Sequence, residues 1–467
     1  MIHAAKRQDV RLFRRYVASH PHSRSVRARG ARPPDVANAP ALPAEPARRQ
    51  RVAAAAYSAA RSRRGGRELR ALRAGCILTD VTMTGGMPGS QASLREANRA
   101  RIINAVKRHG GLTQVELAGI TGLSPATVSN IVKALSGSGV LHTVPTSRSG
   151  RRAQRVTLAH TLGLVAGVHF STRHMRVAIS DVTATTVAEH HMPLANDHRA
   201  DNELDRAARL IADMLDSVNA TIEEVLAVGI ALPAVLNRDT GMTAGNGMLR
   251  GWDGVPVAEV MARRLTRPVF VDSAANLAAL AELRMGAARG KNEVVYLEIG
   301  DRIGAGLILH GRIFSGHNGS AGEFGHTTIH ERGPLCRCGN RGCLEAIAGG
   351  PAILDGLKTK SFARKLGDVV VRAMAGDADC VRAIADAGAH IGVAAASVCN
   401  LLDPERLVIG GELAKAGELL IGHIRTACER ALVVSEDSMP DIVQGQLGER
   451  AATLGAAHYA IDQVAIT

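Results

Sequence analysis

Residues 159–467 carry one order of elements twice, and that repetition limits the folds open to them. Apolar, β-branched runs at 163–170, 175–180 and 185–190 lie close enough in sequence to pair as a meander. A helix over 203–217 and a strand over 225–232 follow. A second set begins with strands at 293–299 and 304–309, continues through helices near 377–402 and adds a strand at 406–409. A meander followed by helices, repeated, predicts two similar α/β lobes with a ligand cleft between them.

The rest of the chain differs in charge. Of 467 residues, 57 are Lys or Arg and 43 are Asp or Glu, a net charge of +14. Residues 1–92 hold 18 of the cations and 5 of the acids, residues 93–157 hold 10 and 2, and the remainder holds 29 and 36. A small basic module thus precedes a large acidic one, the pattern of a nucleic-acid-binding unit ahead of another domain. Residues 1–92, rich in Ala, Arg, Pro and Gly without a sustained apolar period, are expected to be a disordered basic extension. They are either a nucleic-acid-binding arm or a tract upstream of a true start at Met83 or Met87, and composition favours the second. No run approaches 18 consecutive apolar residues, so no transmembrane helix is expected. Arg14 and Arg15 are followed by no apolar core of an export signal.

Residues 93–158 read as three helices and a hairpin. Ser93 to Glu96 form a capping box, and Gly110-Gly111 stops the helix behind it. Thr113 to Glu116 form a second box, opening a short helix that ends near Gly122. Ser124 then caps a third, with Pro125 at its first position. In that helix Val128, Ile131, Val132 and Leu135 occupy one face, which turns Ala126, Asn130 and Lys133 to the other, beside Ser124 and Thr127 at its start. Runs at 140–144 and 153–158 make a hairpin with Arg148, Arg151 and Arg152 at its tip. A short second helix, a small polar exposed face and a basic wing make a winged helix-turn-helix pattern suited to double-stranded DNA. A plain three-helix bundle with solvated cations would use the same caps, but gives no reason for the wing.

Seven cysteines are an odd number, and three of them crowd into eight positions. That argues against a disulfide framework and for a metal cluster in a reducing, cytoplasmic setting. Cys336, Cys338 and Cys343 lie in a Gly-rich turn, with His326 ten residues upstream of the first. Three thiolates and one imidazole suit tetrahedral Zn, and four protein ligands leave no open position, so the expected ion is structural. Cys380, Cys399 and Cys428 are expected in the core, and Cys76 has no evident partner.

Gly322-Glu323-Phe324-Gly325-His326, followed by Cys336-Arg337-Cys338-Gly339-Asn340-Arg341-Gly342-Cys343-Leu344-Glu345, resembles the signature of the ROK family (repressor, open reading frame, kinase). The resemblance covers residues 93–467. It implies a two-lobed actin-like ATPase (ribonuclease H-like) fold, as in sugar kinases, behind the DNA-binding module. It also implies that Glu323, His326 and Glu345 hydrogen-bond sugar hydroxyls, His326 offering one ring nitrogen to the metal and the other to the ligand.

Against the family's kinases the sequence departs four times. Their first phosphate loop reads Asp-x-Gly-Gly-Thr, whereas here His169-Phe170-Ser171-Thr172-Arg173 lacks the glycines and the carboxylate. The second loop, Gly300-Asp301-Arg302-Ile303-Gly304-Ala305-Gly306, places an acid and a bulky side chain where nucleotide phosphate lies in a kinase. Glu412 replaces the third glycine of the adenosine motif. In the family's Glu-Asn-Asp-Ala-Asn string the Asp is the general base, and here Ala274 takes its place, with Asp272 at the separate Glu position. Ser273 and Met248 also stand where the family offers Asn. Trp252 is expected either to wall the cleft or to sit in the core. The sequence as a whole predicts a DNA-binding transcriptional regulator, a homodimeric repressor of carbohydrate-related genes with no enzymatic activity. A sugar or sugar phosphate is the expected effector. The competing reading is an active sugar kinase with a DNA-binding extension.

Overall fold

The computed structural model describes residues 91–467 except 149–150, 196–197, 238–239, 244–250, 359–360, 362, 434–438 and 467. The expected basic extension up to residue 90, with Cys76, lies outside the described residues, as do Met248 and the side chains of Arg148, Arg151 and Arg152.

The first helix, α1 (Gln91–His109), buries Ile102, Ile103 and Val106. Its last turn sets Lys107, Arg108 and His109 against the negative end of the helix dipole, and Gly110, at φ +71°, ends it. Gln91 and Ala92, good helix formers, are already helical, so Ser93 lies inside α1 and the Ser93–Glu96 box does not open it. After β1 (Leu112–Thr113) come α2 (Gln114–Thr121), α3 (Pro125–Gly137) and the hairpin β2 (Leu141–Arg148) and β3 (Arg151–Leu158). The wing is longer than expected: its register runs from Leu141 opposite Leu158 to Arg148 opposite Arg151. β1 pairs with β3 to give the order β1-β3-β2.

The two lobes follow as expected. In the first, β4 (Leu164–Phe170), β5 (His174–Asp181) and β6 (Thr186–Pro193) are antiparallel. Helix α4 (Ala200–Ser217) leads to β7 (Val225–Leu232), and α5 (Val257–Leu265) leads to β8 (Val269–Ser273). Helix α6 (Ala274–Met285) leads into the second lobe. There β9 (Val294–Ile299), β10 (Ile303–Leu309) and β11 (Arg312–Ile313) form the meander. Helices α7 (Leu344–Ala348), α8 (Gly350–Leu357), α9 (Leu366–Met374) and α10 (Ala378–Leu402) precede β12 (Arg406–Gly410), α11 (Glu418–Ala431) and β13 (Asp441–Gln444). The chain closes with α12 (Ala451–Gln463). The strand orders β6-β5-β4-β7-β8 and β11-β10-β9-β12-β13 are the same topology twice, with the last two strands of each sheet parallel to the first.

Each lobe has its own core. Phe170, Ile179, Leu204, Ile211 and Ile230 fill the first, and Leu297, Ile384, Ile391 and Leu407 the second. Trp252 is core rather than cleft wall: it is 1% exposed, its ring lies 5.0 Å from that of Phe170, and its Nε1 donates to His198 Nδ1 at 3.3 Å. Cys380, Cys399 and Cys428 are buried, as expected. Helix α10 is long and apolar enough to cross a membrane, yet half of its apolar window is buried in the second lobe, where it packs on α11. Between the lobes, the buried carboxylate of Glu282 accepts from the backbone N–H groups of Ala287, Gln446 and Leu447 (2.7, 3.2 and 2.9 Å), tying α6 to the chain entering α12.

Candidate functional site

The turn between α2 and α3 is built by its caps. Glu116 Oε2 accepts from the Thr113 N–H (2.8 Å) while Thr113 Oγ1 accepts from the Glu116 N–H (3.3 Å), the reciprocal box expected from the sequence. Gly122, at φ +69°, ends α2, and Ser124 Oγ accepts from the Thr127 N–H (3.2 Å) to start α3. Val128, Val132 and Leu135 are buried in one cluster with Ile102 and Leu117. That fixes the opposite face outward: Ser124, Ala126, Asn130 and Lys133 are exposed. Thr127 is half-buried, and its hydroxyl lies 2.8 Å from that of Ser124, so both hydroxyls belong to the cap. The wing ends at the Arg148–Arg151 register pair beside this module.

The four expected metal ligands converge. His326 ends a short turn, Phe324–His326, Cys336 and Cys338 lie in the Gly-rich loop, and Cys343 caps α7. Their four ligating atoms lie within 4.8 Å of one another. Cys336 Sγ is 3.6 Å from His326 Nδ1 and Cys338 Sγ is 3.7 Å from Cys343 Sγ. A tetrahedron with Zn–S bonds of about 2.3 Å has edges of about 3.8 Å, so these separations suit such an ion. Burial, reinforced by the neighbouring thiols, pushes the Cys343 thiol up to about 12; a cation held by the four residues would offset that cost. The loop requires its glycine: a Cβ at Gly342 would fall 1.6 Å from the carbonyl oxygen of His330. The other ring nitrogen of His326, Nε2, lies 3.7 Å from Glu323 Oε2. The metal loop and the cleft therefore share one imidazole.

The cleft between the lobes has a volume of about 460 Å³ and is lined by Glu323, His326 and Glu345 together with the heads of α6 and α12 and the loops that follow β4, β9 and β12. Glu345 is committed on both oxygens. Oε1 accepts from Arg337 Nε (2.7 Å) and Oε2 from the Ile303 N–H (3.1 Å), so it orders the metal loop as well as facing the cleft. Burial raises the Glu323 carboxyl above its ordinary value.

The phosphate side is differently furnished. Arg173, in the turn after β4, pairs with Asp301, in the turn after β9: Nε to Oδ2 is 2.8 Å and Nη2 to Oδ1 is 3.2 Å. This two-pronged pair joins the two loops that, by the resemblance to the family, stand at the positions of a kinase's phosphate loops. Burial, with Asp301 nearby, raises the Glu412 carboxyl, and burial alone pushes Glu298 up to about 7. Arg302 donates to the carbonyl of Pro233 (3.3 Å), and burial lowers its guanidinium to about 10. Ala274 is the first residue of α6. Asp272 Oδ1 accepts from the Ser273 N–H (2.7 Å) and from Asn276 Nδ2 (2.9 Å), so it holds the head of that helix. The Arg173–Asp301 and Arg337–Glu345 pairs are absent from the sequence reading. The first joins residues 128 apart, and the only local hint was the loss of the glycines.

A winged helix-turn-helix followed by two repeated α/β lobes, with a candidate metal-binding loop beside an interlobe cleft, defines a DNA-binding regulator carrying a sugar-kinase-like sensor. Residues 165–463 match the model of the ROK family and residues 95–141 that of winged helix-turn-helix DNA-binding domains. The chain belongs to the ROK family. It is 29% identical over 391 residues to the N-acetylglucosamine repressor of Escherichia coli O6:H1, covering 78% of this chain and 94% of that one. The xylose repressor of Caldicellulosiruptor bescii is 25% identical over 388 residues, covering 79% and 96%. A ROK family glucokinase from Streptomyces griseus, solved with glucose and AMPPNP, is 26% identical with a TM-score of 0.58, covering 64% of this chain and 99% of that one. The family thus contains both repressors and kinases, and this chain is a DNA-binding transcriptional regulator.

Proposed function

We propose that the protein is a sugar-responsive repressor whose kinase-fold domain senses ligand without phosphorylating it. One observation carries the reading: the cleft brings Glu323, His326 and Glu345 together on one side, while on the other the base position is Ala274 and the two phosphate loops are bound to each other through Arg173 and Asp301. Sugar hydroxyls need directed donors and acceptors, which the first side has. Phosphoryl transfer needs a proton acceptor and positioned phosphate, and a carboxylate in the phosphate loop repels the latter. The names of the relatives, repressors for N-acetylglucosamine and for xylose, agree with a sugar effector.

His326, Cys336, Cys338 and Cys343 hold a structural Zn ion. The ion supplies no chemistry in the cleft beyond fixing the loop and the His326 ring. On DNA, Asn130 reads a base edge and Lys133 contacts phosphate, with Ser124, Ala126 and Thr127 lining the major groove. Arg148, Arg151 and Arg152 contact the backbone or minor groove from the wing. The active species is a cytoplasmic homodimer, which light scattering checks. The domains divide at about residues 93 and 159. A gel-shift titration tests the reading, using a duplex selected from a random library with and without a panel of sugars and sugar phosphates. A member of the panel is expected to change affinity about 5- to 150-fold. Sugar-dependent turnover of ATP by rigorously purified protein contradicts it.

A further inference from the structure

We propose that α6 and α12 form a rigid strut that carries the state of the cleft to the DNA-binding module, with Arg284 as the joint at its far end. The inference rests on the reading of residues 91–158 as the part that binds DNA. Both helices begin at the cleft: Ala274 and Ala275 at the head of α6, and Ala451 and Ala452 at the head of α12, line it. Both end against α1. Arg284, in the last turn of α6, donates from Nη1 to the carbonyl of Arg108 (2.6 Å) and pairs through Nη2 with Asp462 of α12 (2.9 Å). Lys107 Nζ donates to the carbonyl of Val464, just beyond α12. The Arg284 side chain is 9% exposed, so one buried guanidinium unites three helices.

The strut has no soft layer. A Cβ at Gly455 of α12 would fall 1.7 Å from the carbonyl oxygen of Leu277 in α6, and one at Gly306 of β10 would fall 2.2 Å from that of Ala275. On the other side, a Cβ at Gly229 of β7 would fall 1.9 Å from the carbonyl oxygen of Ala456. Backbone meets backbone at each place, with no long side chain to absorb a shift. A displacement at the cleft end therefore passes along α6, which at 12 residues is about 18 Å long, rather than dissipating. The receiving end is equally unified. Ile102 and Val106 of α1 share one buried cluster with Val128 and Val132 of α3, so α1 and the helix that presents Asn130 move as a body. The joint itself is held by directed bonds more than by charge balance, since Arg108, Arg284 and Arg312 crowd together beside Asp462.

Hydrogen exchange on the full chain tests the strut, free and bound to a duplex selected from a random library. Binding DNA is expected to change exchange at residues 272–278 and 448–454, at the cleft, by about fivefold or more, because coupling between sites is reciprocal. In Arg284→Ala that distant change is expected to fall below about twofold while protection of α3 by DNA persists. Arg284→Lys, which keeps a donor for the Arg108 carbonyl, restores part of it. Asp462→Asn, a milder change at the same joint, weakens it in the same direction and serves should Arg284→Ala fold poorly. A cleft that responds to DNA equally in wild type, Arg284→Ala and Asp462→Asn, or not at all in wild type, overturns the proposal. Failure of the chain to select any duplex overturns instead the DNA-binding reading beneath it.

Discussion

The two sides of the cleft are both built from loops, yet they are finished in opposite ways. On the metal side the glycines remain where backbone must approach backbone. A Cβ at Gly322 would fall 2.1 Å from the carbonyl oxygen of Ala305, and one at Gly325 would fall 2.2 Å from that of Ile303. The polar side chains there point at a shared space. On the other side, Arg173 and Asp301 line the same cleft and satisfy each other across it. Recognition of a sugar and transfer of a phosphoryl group are thus separable demands on one cleft. Under the proposed function, the first needs only fixed hydrogen-bonding groups, whereas the second also needs a base and a positioned phosphate.

The contrast breaks most visibly at the metal. Cys343→Ser is expected to reduce Zn from about one per chain to none by metal analysis and to weaken sugar binding more than tenfold, through the loop that carries Glu323 and Glu345. The lobes are expected to keep their far-ultraviolet circular dichroism, because the loop region adds only Phe324 and Leu344, with Ile329 packed alongside, to the much larger core of the second lobe. Retention of full Zn content by this variant would show that the four ligands are misassigned.

On the phosphate side, Glu298 supplies a pH test. The folded protein keeps its proton up to about pH 7, whereas the unfolded chain loses it near the ordinary value of 4.5. Unfolding therefore releases a proton in that window, and this group makes stability fall as pH rises from about 4.5 to about 7. Glu298→Gln removes the effect and is expected to be more stable than wild type by roughly 1–3 kcal/mol at pH 8, with little difference at pH 4. Denaturant melts at the two pH values decide it; equal differences at both remove burial of the carboxyl as the cause.

Smaller effects separate reading from holding on DNA. Asn130→Ala is expected to lose roughly 1–3 kcal/mol of discrimination at one base pair. Lys133→Ala weakens all duplexes alike and lowers the slope of log affinity against log salt by about 1. Competition with single-base variants of the selected duplex checks the first, and a salt titration the second.

Much of this was legible in the sequence, because much of it is local. The caps of α2 and α3 each span four residues, and the metal ligands are dense enough in sequence to announce themselves. The repeated strand pattern indicated both lobes, with the boundaries of the elements it named within three residues, but it did not reveal β8, β11 or β13. β1 was not legible because two residues carry no period, and the full wing was not because polar residues such as Thr146 and Ser147 extend it by pairing alone. The Ser93 box misled because a cap motif does not bind where good helix formers precede it. Arg173 with Asp301, Arg337 with Glu345 and Arg284 with Arg108 are tertiary partnerships, and nothing in the local pattern of either partner names the other.

Calorimetry on one Zn-loaded preparation tests the division of the cleft, with a panel of sugars titrated first and AMPPNP second, each in the presence and absence of the other. The predicted result is saturable binding of a sugar, no detectable heat from AMPPNP in either order, and a sugar affinity that AMPPNP leaves unchanged. Binding of AMPPNP that strengthens with sugar contradicts the division, because it returns to the phosphate side the role that the Arg173–Asp301 pair denies it.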